Sequence, residues 1–175
     1  LKYSLKLNPN NSDSFEILAL VLKDTGNVNE AESCIRNAIN LNPNSSQLYT
    51  NLGCLLREKG NLDEAKRLHS KALILNPKNP SVHLNLATVL RDLFDLDEAE
   101  KNVRNAIKLD STFSIAYALL SILLNDKGKY KEASVSILKA IELDPDFARN
   151  YYAISLLPYR IHSNYKWEEN LFSES

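Results

Sequence analysis

The 175-residue sequence contains no methionine, one tryptophan, four glycines and two cysteines. Cys34 and Cys54 are too few to staple a chain of this length, so a disulfide framework is excluded and two thiols in a reducing, cytoplasmic setting are expected. Four glycines do not make a glycine-rich cradle for phosphate. An excess of charge of one sign is lacking as well. The 21 basic residues are scattered among 22 acidic ones for a net charge of −1, which provides no strong field to hold nucleic acid or anionic lipid. The longest apolar stretch, residues 113–124, is shorter than the roughly 20 residues that span a bilayer, so no membrane partner is expected.

What the chain does have is one phrase written four times. It begins at residues 26, 60, 94 and 128, each start 34 residues after the last. Alanine recurs in both of its places: Ala31, Ala65, Ala99 and Ala133, then Ala38, Ala72, Ala106 and Ala140. Seven residues, two helical turns, separate each pair, so both alanines share a face on which a neighbouring backbone comes close. Upstream lies a second apolar stripe with a small residue midway: Phe15-Leu18-Ala19-Leu22, Tyr49-Leu52-Gly53-Leu56, His83-Leu86-Ala87-Leu90 and Tyr117-Leu120-Ser121-Leu124. Each unit therefore reads as two helices, A then B.

Local chemistry places the boundaries. Gly26, Gly60 and Gly128 supply turns free to take positive φ, and Asn27, Asn61 and Asp95 follow as expected N-caps of helix B. Glu30, Glu64 and Glu98, three places on, complete an expected capping box. Asn42-Pro43, Asn76-Pro77 and Asp144-Pro145 end helix B, because proline cannot extend the hydrogen-bond ladder. In the third unit Phe94 replaces the turn glycine and Ser111 the proline, which predicts an irregular turn at 93–95 in an unchanged fold.

A 34-residue helix pair with an aromatic, a leucine and a small residue in helix A, two alanines in helix B and a closing proline resembles the tetratricopeptide repeat family. Pentatricopeptide repeats, which read RNA, run a residue longer and lack that proline. The resemblance implies an all-α fold, a right-handed superhelical solenoid of antiparallel helix pairs. It divides the chain into a helix B remnant at 1–11, repeats at 12–45, 46–79, 80–113 and 114–147, helix A of a partial repeat at 148–157, and a cap or linker at 158–175. The stub LKYSLKLNPN matches the end of a helix B, so the sequence is expected to be a fragment of a longer protein.

The resemblance also places the A helices on a concave groove, into which residues off their core stripe should point. In the first repeat these are Asp13, Glu16, Leu20 and Lys23; in the second, Gln47, Thr50, Asn51, Cys54 and Arg57. The positions favoured for partner binding are Asn51, Arg57, Leu84, Asn85, Arg91, Ile115, Leu119, Ile122, Tyr152 and Leu156. Asn51 and Asn85, one period apart, can each offer a peptide backbone both a donor and an acceptor. They resemble two rungs of the asparagine ladder in the repeats of O-linked N-acetylglucosamine transferases. Lys23, Arg57 and Arg91 form a basic row, but Asp24, Glu58 and Asp92 follow them directly and make an ordinary solvated rim. Ile115, Leu119 and Ile122, with Tyr152 and Leu156, make an apolar half that either a partner segment or the tail around Trp167 could cover.

No constellation in the chain carries chemistry. His69 falls on the buried face of helix B, His83 in the aromatic place of helix A, and His162 in the tail, with no metal-ligand spacing among them. No cofactor is expected, nor catalysis. The reading is a non-catalytic scaffold that binds a peptide or helix in the groove. The alternative is a substrate- or partner-recruiting arm of a larger enzyme such as a transferase, and self-association through exposed solenoid ends is a further possibility.

Overall fold

The computed structural model describes residues 11–146, in which eight helices and no strand are found. In chain order these are α1 (Ser12–Asp24), α2 (Val28–Leu41), α3 (Ser46–Glu58), α4 (Leu62–Leu75), α5 (Pro80–Asp92), α6 (Leu96–Leu109), α7 (Ser114–Asp126) and α8 (Tyr130–Leu143). The fold is an all-α helical repeat. Residues 1–10 of the expected remnant at 1–11, with the partial repeat at 148–157 and the cap or linker at 158–175, lie outside the described residues. The chain divides into two compact units, Leu1–Leu93 and Phe94–Ser175. The first contains α1 to α5 and the second α6 to α8.

All eight repeating alanines are 0% exposed, which is why nothing larger recurs at those places. In unit 1 Ala31 and Ala65 join Leu18, Leu22, Ile35, Leu52, Leu55 and Leu56 in one core, with Phe15 and Leu68 packed on it. In unit 2 Ala99, Ala106, Ala133 and Ala140 are buried alongside Val103, Leu123, Leu124 and Ile137. A hydroxyl ties helix A to helix B in the first two repeats: Ser12 Oγ donates to the Ala38 carbonyl at 3.1 Å and Ser46 Oγ to the Ala72 carbonyl at 2.9 Å.

The A-to-B turns follow from backbone bonding more than from side-chain caps. Asn27 N–H donates to Leu22 O, Asn61 N–H to Leu56 O and Lys129 N–H to Leu124 O, each at 2.8 Å. Together with Gly26 N–H to Lys23 O, Gly60 N–H to Arg57 O and Gly128 N–H to Asn125 O, this is the Schellman pattern around a left-handed glycine. It corrects the expected capping box. A box needs the glutamate to receive the N-cap backbone N–H, and at Asn27 and Asn61 that N–H is already donated to helix A. Only Asn61 retains half of the box, accepting from Glu64 N–H at 3.4 Å, while Asn27 makes no side-chain cap bond. Side-chain caps instead start the A helices, at Asn11, Ser45 and Asn79.

The third turn, expected to be irregular in an unchanged fold, keeps the left-handed residue of the other turns but places a side chain on it. Phe94 takes φ 61°, inside the left-handed region that Gly26, Gly60 and Gly128 occupy at 72–80°. A residue with a Cβ is strained there by about 1–2 kcal/mol, and Phe94, 87% exposed, recovers almost none of it by packing. Phe94→Gly is therefore expected to raise stability by about 0.5–1 kcal/mol after the added unfolded-state entropy of glycine is subtracted, read as a higher urea midpoint. The missing proline is likewise replaced locally: Asp110 accepts from Thr112 N–H at 2.9 Å and from its hydroxyl at 2.7 Å, and α6 ends at Leu109.

Each unit also has a charged cluster across its repeat junction. In unit 1 Glu32 pairs with Arg36 and Lys59, and Arg36 with Glu64. In unit 2, 68 residues on, Glu100 pairs with Arg104 and Lys127, and Arg104 lies 3.8 Å from Glu132. The Lys59 hydrogen bond, with Arg36, holds Glu32 below the usual carboxylate range. These pairs are screened by water, so each adds little to stability.

Candidate functional site

Helix A is pinched from two sides, and that decides which of its residues stay open. Within unit 1, α3 packs on α2 and α4; within unit 2, α7 packs on α6 and α8. The same register position in successive A helices, Thr50, Leu84 and Ala118, is accordingly buried. Leu84 and Ile122, expected on the open face, are each 8% exposed and belong to the packing. The sequence reading allotted helix A one buried stripe, whereas packing against the preceding helix B creates a second. Leu119 and Ile115 on α7, and Asn85 on α5, remain half-buried. Tyr152 and Leu156 lie outside the described residues.

On α1 and α3 the open face contains a cavity of about 60 Å³. Ala19, Ile35 and Leu55 form its apolar floor, Leu20 one wall, and Glu16, Lys23, Asn51 and Cys54 its rim. Leu20 is 50% exposed, and its neighbours Ile17 and Val21 extend an open apolar strip along α1. Burial pushes the Cys54 thiol up, so it stays protonated at neutral pH and adds a soft apolar edge rather than a nucleophile. Ile35, on a B helix, was missed by a reading confined to the A helices.

The polar rim is internally tied. Asn51 Nδ2 donates to Glu16 Oε1 at 2.8 Å, and Asn51 Oδ1 accepts from Gln47 Nε2 at 2.8 Å. Asn51 therefore keeps one N–H and one lone pair for a ligand, and the Asn85 side chain forms no hydrogen bond among the described residues. The basic row is neutralised across repeats. Lys23 pairs with Glu58 at 2.6 Å and Arg57 with Asp92 at 2.5 Å, while Arg91 lies one repeat further, on α5. These three links within unit 1, Glu16 to Asn51, Lys23 to Glu58 and Arg57 to Asp92, join residues 35 apart. A search at the 34-residue period finds equivalent positions; the contacts run one residue off it, on the diagonal.

Among the described residues no group of three His, Cys, Asp or Glu side chains is placed to hold a metal ion. No described helix is long and apolar enough to cross a membrane. His83 Nε2 lies 3.2 Å from the Pro77 carbonyl, which fixes the ring inside helix A packing. His69 is fully buried against Gly53.

Three family models, each described as tetratricopeptide repeat, match the chain: one at residues 12–45 and 115–147, one at 34–67 and one at 56–101. The chain belongs to the tetratricopeptide repeat family. A search of curated protein sequences gives no match. Among solved structures, TTC0263, a thermophilic repeat protein of this family from Thermus thermophilus, is 26% identical with a TM-score of 0.75, covering 89% of this chain and 86% of its own. MamA is 24% identical with a TM-score of 0.74, covering 82% and 84%. YrrB, described as a repeat protein of this family with an unusual peptide-binding site, is 21% identical with a TM-score of 0.71, covering 97% and 87%.

Proposed function

We propose that the chain is a non-catalytic interaction scaffold that holds a peptide or helix of a partner protein on the open face of its A helices, the groove that the family implies. The observation that carries this reading is the α1/α3 cavity, an apolar floor inside a polar rim with unused hydrogen-bonding capacity on Asn51. A volume near 60 Å³ accepts a small aliphatic side chain, and Asn51 and Asn85 are suited to the backbone that presents it. Ile115 and Leu119 offer a separate apolar contact within unit 2. YrrB, similar in fold, is described as having a peptide-binding site, which supports the same class of ligand here. Cys34 and Cys54 are free thiols, in keeping with the reducing cytoplasmic setting proposed for the chain.

The test is affinity capture from source lysate followed by identification of the partner and titration with the purified proteins. Leu20→Lys places a charge on an exposed wall of the cavity and should leave helicity unchanged while weakening the partner about tenfold or more, equal to about 1.4 kcal/mol. Asn51→Ala should weaken it as well. Full affinity in Leu20→Lys, Asn51→Ala and Leu119→Lys alike overturns the reading and directs attention to the B helices.

A further inference from the structure

The second repeat alone among the four has an imidazole in the core position of helix B: the corresponding residues are Ile35, His69, Val103 and Ile137. His69 is 0% exposed, and neither ring nitrogen meets a hydrogen-bond partner among the described residues. Its ring fills the notch left by Gly53, where even a Cβ would come within 2.7 Å of Cε1 and Nε2. The neutral ring fits this slot at the cost of two unmade hydrogen bonds; a charged ring has no partner at all. α4 packs mainly on α3 and α5, and Arg36 of α2 reaches it to pair with Glu64. From α3 the charge that acts on the ring is Arg57, which opposes a second positive charge, and Tyr49, Cys54 and Glu58 are the other titratable groups there. α5 brings His83, Arg91 and Asp92. None of their side chains hydrogen-bonds to the ring.

We propose that His69 makes unit 1 acid-sensitive, its protonation prising α4 from α3 and dismantling the α1/α3 cavity while unit 2 keeps its packing. The link is α3, which presents Gly53 to the ring and Asn51, Cys54 and Leu55 to the cavity. Unit 2 has no histidine among its described residues. The conformational claim stands without the proposed ligand; loss of binding in acid rests on that reading. Burial, with Arg57, pushes the His69 ring down to about 4 from an ordinary 6.5. The unfolded chain therefore binds the proton first, and stability present above pH 6.5 is lost progressively as pH falls toward 4.

The experiment is amide hydrogen exchange on the full chain at pH 7 and pH 5, corrected for intrinsic exchange rates. Protection of α3 and α4 is expected to fall about twentyfold between these pH values, and that of α7 and α8 less than about twofold. His69→Val should abolish the fall, and His69→Gln, polar but without a titration in this range, gives the same reading if valine disturbs the fold. His83→Gln should leave it in place. Ring nitrogen shifts of His69 in the unaltered chain supply a readout free of substitutions, and a ring that protonates near pH 6.5 without loss of protection overturns the proposal. So does equal protection of α3 and α4 at both pH values, an equal fall in unit 2, a fall that survives both His69 substitutions, or one that vanishes in His83→Gln.

Discussion

Gly53→Ala is expected to destabilise unit 1 by about 2 kcal/mol, although alanine is the better helix former by up to about 1 kcal/mol. The new methyl would stand 2.7 Å from His69 Cε1 and Nε2 and 3.0 Å from Cδ2, and a fully buried ring has no free space into which to swing. Overpacking of this kind costs about 1–3 kcal/mol. The other repeats suggest the remedy. Where the notch holds Ala19, Ala87 or Ser121, the helix B position holds Ile35, Val103 or Ile137. Gly53→Ala combined with His69→Val copies that pairing and should exceed the parent in stability, because it restores helix propensity and removes two buried nitrogens without partners. A double-mutant cycle by urea unfolding, followed by helical circular dichroism, is expected to show a coupling of about 2–3 kcal/mol. Additive effects of the two substitutions would place the ring away from Gly53.

The repeat was legible in the sequence because the features that define it are enforced by hard contacts. Eight buried alanines and three left-handed glycines leave no alternative residue of equal cost, so their 34-residue spacing survives in plain view. The turn at Phe94 shows where such reading stops. Residue type predicted irregularity but not its form, a left-handed φ retained on a phenylalanine. The capping box failed for a related reason: a side-chain motif was inferred without asking whether its backbone N–H was already donated to the preceding helix.

The site was less legible than the fold. Exposure on an A helix depends on two neighbours at once, and a single helical stripe could not reveal that Thr50, Leu84 and Ala118 face one of them. Nor does a period of 34 announce contacts that run at 35, such as Glu16 to Asn51. The rim residues Lys23 and Arg57 pair with Glu58 and Asp92, each 35 residues on, rather than with the acidic residues beside them in sequence.

Ala65→Leu in unit 1 and Ala106→Leu in unit 2 are each expected to cost about 3 kcal/mol, the upper end of the range for overpacking. Both alanines are 0% exposed, and Ala65 lies within the cluster of Leu52, Leu55 and Leu56, whose side chains already occupy the space a leucine would need. In α6 the neighbouring turn holds Val103, also 0% exposed, so a leucine at 106 cannot be accommodated by a shift along the helix. Solvent-facing Lys71→Leu on α4 is the matched control and should stay within about 0.5 kcal/mol of the parent. Because the two alanines belong to separate compact units, the double variant should lose the sum of the single losses. Urea unfolding of the set checks this, and a neutral result at both alanines would mean that small side chains recur there for a reason other than close helix contact.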